Sequence, residues 1–268
     1  MWDTMHPGTL HLVSGEITTG PWLCVVDRQP KARAARPRRI ARPAPAAASI
    51  PVPSVDPIDP NGQELRALSP DPIEPSPRRQ AIQFLSSMYR PDEFVYIGNG
   101  REGGWRQRRA VRKVSEWIGF LETTTLSDDE LGRFFPYIIA NPLTGSEGLT
   151  KSGTPSYRSD SCVASYRYAV VEFDSLAKPM QVALDLNLFK DSLACLIDSA
   201  GKSVHAWVRV DLATADQWEA EIETALYGRI VPMGADPMCK NEARLSRLPG
   251  MFREEKGMFQ RLLWMKGI

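Results

Sequence analysis

The sequence offers few residues of the kinds that build disulfide or zinc scaffolds. Its four cysteines form no C-x-x-C pair and lie scattered at Cys24, Cys162, Cys195 and Cys239. This spacing argues against a zinc ribbon and against a disulfide framework, and it is typical of a protein from a reducing cytosol. Histidine is scarce too, because His205 is the only one of three histidines beyond residue 11. Any chemistry that needs an imidazole in the folded region therefore depends on His205.

Long apolar runs and targeting signals are missing as well. The longest apolar run, at residues 134–140, is far shorter than a membrane span. The first residues, MWDTMHPGTLHLV, lack the basic start and the apolar stretch of a signal peptide. We therefore expect a cytoplasmic protein without a membrane partner. The net charge of +1 identifies no partner either, so charge has to be considered segment by segment.

Composition predicts three parts, of which the first two have little apolar pattern. Residues 1–27 form a short segment of unknown role, in which residues 8–26 are compatible with a hairpin. Residues 28–77 are rich in Pro, Ala and Arg, and repeated proline forbids a continuous helix or a central strand. We expect a disordered or polyproline-like linker there. Residues 28–42 carry Arg and Lys without an acid, which leaves open a solvated linker and a nonspecific phosphate-binding arm.

The third part, residues 78–268, is predicted to form one folded domain. The chain is 43% hydrophobic, which is enough for a sizeable core. Strand-like and helix-like patterns alternate irregularly and predict a mixed α/β domain of the α+β class. We expect strands at residues 94–98, 133–141, 166–174, 193–198, 202–211 and 259–265. We expect helices at residues 106–122, 176–189 and 214–230.

The helix predicted at 106–122 is amphipathic, and its first half is strongly basic. The basic residues are Arg106, Arg108, Arg109, Arg112 and Lys113. Such a face is either solvated or in contact with nucleic acid, and the sequence leaves both interpretations open.

Two carboxylates stand two residues apart in VVEFD, at the end of the strand predicted for 166–174. Side chains alternate on a strand, so Glu172 and Asp174 are expected on one face. Paired acids repel each other when buried, unless a hard cation such as Mg²⁺ or Mn²⁺ lies between them. A strand end that runs into solvent explains the pair equally well.

The stretch GKSVHAWVRVD places the histidine on the strand predicted for 202–211. Alternation puts Val204, Ala206, Val208 and Val210 on the core side. Ser203, His205 and Trp207 then lie together on the other face, which we expect to be the open face of the sheet. Gly201 permits a tight turn, and Lys202 adds a positive charge beside Ser203. A structural histidine and a ligand-binding one both fit this pattern.

A third segment, GADPMCKNEARLSRLPG, groups cations behind one acid. Asp236 is followed by Lys240, Asn241, Arg244 and Arg247. The acid could complete a metal site while the cations hold phosphates, as a nucleoside triphosphate requires. An ordinary charged loop that ends in a Leu-Pro-Gly turn is the alternative.

In this order the three segments resemble the archaeo-eukaryotic primase superfamily, whose members carry an acidic pair on a strand, a Ser-x-His strand and a third acid. Four sequence segments resemble those of primase-like proteins of plasmids, phages and integrated elements: SAGKSVHAWVRVD, DPMCKNEARLSRLPG, IIANPLTG and SYRYAVVEFD. The resemblance covers about residues 78–268. Glu172 stands where Asp is commoner, and the zinc-binding Cys/His cluster of several relatives is missing.

The resemblance implies a primase catalytic core whose RRM-like sheet carries the acidic pair and the Ser-x-His strand. It implies a DNA primase/polymerase, a nucleotidyltransferase that makes primers on single-stranded DNA. Glu172, Asp174 and Asp236 would hold Mg²⁺ or Mn²⁺. The phosphates of an NTP or dNTP would be bound by Lys202, Ser203, His205, Lys240, Asn241, Arg244 and Arg247. We expect the His205 ring to lie across the sheet from Asp174.

Partners and rival functions follow from the same resemblance. Because the sequence has no Gly-x4-Gly-Lys-Ser/Thr loop, a replicative helicase would be a separate chain. The basic helix and the 28–42 arm would contact the template. A replication initiator that keeps the fold but makes little or no primer is the main alternative. Rolling-circle nicking is weaker, because it usually needs a His-x-His pair and His205 is followed by Ala206 and Trp207.

Overall fold

The computed structural model describes residues 11–13, 16–18 and 52–267. The basic arm at 28–42 lies outside the described residues. The chain divides into two compact units, Met1–Ala47 and Ala48–Ile268. In the first unit, β1 (His11–Val13) and β2 (Glu16–Thr18) pair antiparallel, which confirms the predicted hairpin.

The second unit mixes helices with short strands. Its α-helices are α1 (Gln63–Leu68), α2 (Pro77–Met88), α3 (Trp105–Ala110), α4 (Val114–Thr123), α5 (Asp128–Phe134), α6 (Lys178–Phe189), α7 (Ala215–Gln217) and α8 (Tyr227–Ile230). Between α7 and α8 the chain continues as a π-helical stretch, Trp218–Leu226. Short 3-10 turns lie at Asp160–Cys162, Val231–Met233, Pro237–Lys240 and Glu254–Lys256.

The strands of this unit form two four-stranded antiparallel sheets and two small ribbons. They are β3 (Phe94–Gly98), β4 (Val111–Lys113), β5 (Tyr137–Ile139), β6 (Gly148–Leu149), β7 (Pro155–Ser156), β8 (Tyr166–Glu172), β9 (Leu193–Asp198), β10 (Val204–Leu212), β11 (Leu245–Arg247), β12 (Phe252–Arg253), β13 (Met258–Phe259) and β14 (Arg261–Met265). The sheet orders are β14-β9-β10-β8 and β11-β5-β3-β4. This mixture of helices and antiparallel sheets confirms the predicted α+β class.

The first sheet inserts β10 between β8 and β9, which are joined by α6. Val171, Ala206 and Leu196 follow one another across three strands in register and are fully buried. Such rows of small and branched side chains drive the packing of α6 and the 215–230 helical region onto the sheet. The sheet therefore presents the ends of β8 and β10 side by side as a rigid platform.

Asn141 ties the first sheet to the segment that follows the helical region. Its side-chain oxygen accepts hydrogen bonds from the backbone N–H groups of Arg167 and Tyr168, both at 2.8 Å. Its amide group donates to the carbonyl oxygens of Tyr168 and Glu242, at 3.1 and 2.9 Å. Because Asn141 is fully buried, these four bonds fix the relative positions of β8 and the 236–247 segment.

The basic helix predicted for 106–122 is interrupted in the structure. Val111–Lys113 leaves the helix and pairs with β3, with Val95 opposite Arg112. The β-branched Val111 favours this extended state, and a new helix begins at Val114. The Glu116 side chain accepts a hydrogen bond from the Lys113 backbone N–H at 3.2 Å and so caps that helix.

The second half of the predicted linker is part of the folded unit. Leu65 of α1 is fully buried in the core of the first sheet. The Trp264 indole donates to the carbonyl oxygen of Leu68 at 2.8 Å, and the Asp71 backbone N–H donates to Met265 at 3.2 Å. The segment therefore covers edge strand β14. It belongs to the folded unit for this reason, although it contains little helix or strand. Within the described ranges, no helix combines the length and apolar character needed to cross a membrane.

Replacing Asp185 of α6 by Leu is expected to stabilise the protein. Asp185 is fully buried, and both of its carboxylate oxygens lack a hydrogen-bond partner among the described residues. Burial raises its pKa well above the usual range. The folded state then holds the proton more tightly than the unfolded state, so wild-type stability falls as pH rises above the unfolded pKa. Removing the unsatisfied group should raise the free energy of unfolding by about 1–3 kcal/mol at neutral pH.

The measurement is a comparison of melting temperatures at pH 7 and at pH 4. Asp185→Leu should melt several degrees above the wild type at pH 7, and the gain should shrink at pH 4, because near its unfolded pKa Asp185 keeps a large share of its protons in the unfolded state too. A variant that melts below the wild type at pH 7 would mean that the carboxyl group has a partner.

Candidate active site

Glu172 and His205 face each other at the end of the first sheet. Glu172 is the last residue of β8, and His205 lies directly opposite on β10. The distance from His205 Nε2 to Glu172 Oε2 is 3.5 Å, and both residues are buried. The expectation that the His205 ring lies across from Asp174 was wrong, because the antiparallel register pairs His205 with Glu172.

Asp174 lies beyond the end of β8, in an exposed turn. The buried Phe173 anchors this turn, and its carbonyl oxygen accepts from the Leu176 backbone N–H at 2.9 Å. Strand alternation therefore does not extend to Asp174, and the predicted shared face with Glu172 is not formed by the strand itself. Asp174 is accessible to a ligand that approaches the end of the sheet.

Asp236 and Arg244 complete a cluster around Glu172. The Asp236 backbone N–H donates to the Glu172 carbonyl oxygen at 2.9 Å, which places the 236–247 segment beside β8. Arg244 Nη2 lies 3.4 Å from Glu172 Oε1 and 3.8 Å from Asp236 Oδ2. Together with His205, four of the predicted site residues thus converge at one point of the sheet.

Cys239 belongs to this cluster although the sequence patterns did not single it out. Its buried thiol donates to Glu172 Oε1 at 3.2 Å and lies 3.7 Å from Asp236 Oδ2. Burial and the neighbouring Glu172 raise the pKa of Cys239, so the thiol keeps its proton and remains a donor. The one signal for it in the sequence was its position three residues after Asp236, which the 3-10 turn brings back beside that acid.

The protonation states of the central pair follow from burial and charge. Burial acts to raise the pKa of Glu172, but the attraction of His205 and Arg244, with the Cys239 hydrogen bond, lowers it. Burial lowers the pKa of His205 to about 4, and Glu172 opposes this shift while Arg247 and Arg244 add to it. At neutral pH the site therefore holds a carboxylate beside a neutral imidazole.

The donor set suits a hard cation with oxygen ligands. Carboxylate oxygens of Glu172 and Asp236 point at one positive group, the Arg244 guanidinium, which stands where an ion would bind. Among the described residues, no three His, Cys, Asp or Glu side chains are close enough together to hold a metal ion. Glu172 and Asp236 could hold Mg²⁺ or Mn²⁺ only with Arg244 displaced, and Asp174, exposed in the turn after β8, could supply a third carboxylate.

Lys202 and Ser203 lie in the tight turn between β9 and β10. The Ser199 backbone N–H donates to the Ser203 carbonyl oxygen at 3.1 Å, and Ala200 has a φ of 53°. Buried Asp198 holds this turn by accepting from the Ala200 backbone N–H at 2.9 Å. Two cations bind the same carboxylate, Lys178 at 2.5 Å and Arg261 at 3.0 Å. The turn is thus rigid, and Lys202 is exposed on it.

Two further arginines border the site. Arg247 is partly buried, with its guanidinium 4.3 Å from the centre of the Tyr137 ring. Burial lowers the pKa of Arg247, and the nearby positive charge of Arg253 adds to this effect. Arg253 Nη1 donates to the Ser199 carbonyl oxygen at 3.2 Å, so it reaches the turn that carries Ser203. Sequence reasoning missed Arg253, which lies beyond the Leu-Pro-Gly turn.

The structure joins the other predicted phosphate ligands to different acids. Lys240 Nζ lies 3.3 Å from Glu223, and Asn241 Nδ2 donates to Asp160 Oδ1 at 3.2 Å. Both side chains are therefore engaged by acids other than Glu172. A role at the phosphates would require these two contacts to break.

The predicted nucleic-acid contacts lie on α3 and β4, at the edge of the second sheet. Arg108, Arg109 and Lys113 are exposed there. Arg112 lies 4.8 Å from the centre of the Trp117 ring, and the Arg106 side chain is partly buried. The interruption at β4 spreads these cations over a helix and a strand instead of one helical face.

The chain is similar in structure to two solved protein domains. No protein-family model and no curated protein matches the sequence. The chain is similar to the AEP domain of the cyanophage S-2L primase-polymerase, with 19% identity and a TM-score of 0.45, over 71% of this chain and 91% of that one. It is also similar to the catalytic domain of primase Repb' in complex with initiator DNA, with 17% identity and a TM-score of 0.43, over 72% and 87%.

Proposed function

We propose that this chain is a DNA primase/polymerase, a nucleotidyltransferase that makes primers on a single-stranded DNA template. The observation that carries the proposal is the convergence of Glu172, Asp236, His205 and Arg244 at the end of one rigid sheet. Two acids that meet at a cation, beside a neutral imidazole and arginines, are suited to bind a metal–triphosphate complex.

In the proposed reaction, Glu172, Asp174 and Asp236 would hold Mg²⁺ or Mn²⁺. What the bound ion supplies is positive charge, which neutralises the phosphates and lowers the pKa of the attacking 3′-hydroxyl. With a cation held by these acids, Arg244 would be released from them and would bind the phosphates instead. Its buried Nε has no hydrogen-bond partner among the described residues, so a phosphate oxygen would satisfy it.

The remaining predicted residues bind the incoming NTP or dNTP around this centre. His205 and Ser203 donate hydrogen bonds to phosphate oxygens, and Lys202 and Arg247 add positive charge. Lys240 and Asn241 join only if they leave Glu223 and Asp160. The proposed template contacts are Arg106, Arg108, Arg109, Arg112 and Lys113. The setting we propose is cytoplasmic replication of a plasmid, phage or integrated element, with a helicase on a separate chain.

The test is primer synthesis on unprimed single-stranded DNA, with labelled NTPs or dNTPs and with Mg²⁺ or Mn²⁺. Wild-type protein should produce oligonucleotides, and Asp174→Ala should lower the yield at least about 100-fold, because a metal ligand supplies several kcal/mol to phosphoryl transfer. Asp92→Ala is the matched control, since Asp92 is also an exposed aspartate in a turn. It should behave as the wild type.

A replication initiator without primer synthesis is the second candidate function. The Arg244 guanidinium between Glu172 and Asp236 favours it, because this contact satisfies the acids without a metal. Salt-sensitive DNA binding with no product from the wild type would support this function. Full synthesis by Asp174→Ala would instead refute the assignment of Asp174 as a metal ligand.

A further inference from the structure

Ser246 is a fully buried serine that links the two sheets at His205. It lies on β11 of the second sheet, and its hydroxyl reaches the face of β10 that was expected to be open. Ser246 Oγ lies 2.8 Å from Trp207 Nε1 and 3.0 Å from His205 Nδ1. Because β11 covers this face, His205 and Trp207 are buried beneath it instead of facing solvent.

The directions of these two hydrogen bonds follow from the chemistry of the three groups. An indole N–H can only donate, so Ser246 Oγ must accept the bond from Trp207. The hydroxyl proton of Ser246 then needs its own acceptor, because a buried unsatisfied donor is costly. His205 Nδ1 is the group in place to accept it among the described residues. In a neutral ring, an accepting Nδ1 leaves the proton on Nε2.

The other side of the ring independently favours the same form. His205 Nε2 faces a carboxylate oxygen of Glu172 at 3.5 Å. A protonated Nε2 is attracted to this oxygen, whereas a bare lone pair would be repelled by it. Trp207 keeps the arrangement rigid, since its ring packs edge-on against Phe84 with the ring centres 5.0 Å apart. Both sides of the ring therefore agree on one tautomer.

We infer that Ser246 is a positioning residue, which fixes His205 as the Nε2-protonated tautomer and so keeps that N–H, which faces Glu172, available as a donor to a phosphate oxygen of the bound nucleotide. The inference rests on the proposed function for its ligand and on the Trp207–Ser246–His205 contacts for its geometry. Ser246 itself does not touch the nucleotide. Its influence passes through the imidazole ring, which it holds beside Glu172.

The tautomer is tested on the full chain, without nucleotide, by nitrogen NMR of histidine labelled with ¹⁵N. His205→Gln identifies the His205 signals by their loss. The wild type should show a protonated Nε2 and an unprotonated Nδ1. A spectrum with the proton on Nδ1 would overturn the inference. This measurement does not depend on whether the chain makes primers.

The positioning role is tested by the affinity for a nucleoside triphosphate with Mg²⁺, measured by calorimetry. Ser246→Ala should weaken binding about tenfold, the effect of one hydrogen bond to a ligand-binding group. Ser246→Thr keeps the hydroxyl and should restore most of the affinity. Ser156→Ala is the matched control, because Ser156 is also buried and bonds Gln107 at 3.1 Å, outside the site. It should leave the affinity unchanged.

The double variant Ser246→Ala with His205→Gln decides whether Ser246 acts through His205. If it does, the double variant binds the triphosphate no more weakly than His205→Gln alone, because both substitutions remove the same His205 interaction. If the affinity of the double variant instead falls by the product of the two single fold-losses, the positioning role is overturned. A wild type that binds no triphosphate overturns the proposed function and the donation to a phosphate oxygen with it, whereas the tautomer is decided by the spectrum alone.

Discussion

Replacing Glu172 by Gln is expected to abolish nucleotide incorporation in a protein that still folds. Glu172 is the residue at which the cluster meets, because Arg244, His205 and Cys239 all contact its carboxylate. Gln keeps the shape of the side chain and removes its charge. Under the proposed function, Gln in place of Glu172 removes a metal ligand, and we expect incorporation to fall at least about 1,000-fold, since metal-assisted charge stabilisation supplies several kcal/mol.

The measurement is steady-state incorporation on unprimed single-stranded DNA, beside direct titration of the protein with Mn²⁺. Both primer yield and Mn²⁺ affinity should fall in Glu172→Gln. Glu172→Asp retains the negative charge on a shorter side chain, so it should keep part of the activity. Glu122→Gln changes an exposed glutamate of α4 and serves as the control. Glu172→Gln with wild-type synthesis would show that Glu172 only anchors Arg244.

Local periodicity predicted several elements of this fold from the sequence. The bounds of β3 and β9 coincide with the predicted strands at 94–98 and 193–198. Alternation along β10 correctly separated Val204 and Ala206 from His205. These features depend on neighbours in the chain, so a pattern of period two contains them. The grouping of Glu172, Asp236 and Arg244 as one site came from the resemblance of their motifs, and in the structure Arg244 contacts both acids.

Features that depend on distant parts of the chain could not be predicted in the same way. Nothing near His205 in sequence shows that β11 covers its face, because Ser246 is far away in the chain. The end of β8 at Glu172 is set by the turn at Phe173 and by the arrival of the Asp236 backbone. The burial of Leu65 is likewise decided by β14, so a proline-rich segment with little regular structure still joined the core.

Replacing Gly250 by Ala is expected to prevent stable folding. Gly250 has a φ of 84°, in the left-handed region where a side chain is strained. A methyl group there would lie 2.0 Å from the carbonyl oxygen of Pro77 and 2.8 Å from its carbonyl carbon. Both atoms belong to the backbone at the start of α2 and cannot rotate away. Strain and overlap together should cost more than about 3 kcal/mol.

Melting temperature and soluble yield measure this effect. Gly250→Ala should melt at least about 10 °C below the wild type or fail to accumulate as soluble protein. Gly228→Ala is the matched control, because Gly228 lies in α8 and an added methyl group would meet nothing within 4 Å. Alanine favours helix over glycine by roughly 1 kcal/mol, so this control should melt at or above the wild-type temperature.

The same glycine shows why Leu-Pro-Gly is more than a turn signal in this chain. The Gly250 backbone N–H donates to the Gln260 carbonyl oxygen at 2.7 Å, so the residue joins the segment before β14 while α2 passes against its α-carbon. Turn chemistry alone would tolerate Asn, which also enters the left-handed region. Contact with the Pro77 carbonyl tolerates no side chain. Gly250→Asn should therefore destabilise the protein at least as much as Gly250→Ala. A stable Asn variant would show that only the left-handed backbone conformation of the turn requires glycine at this position.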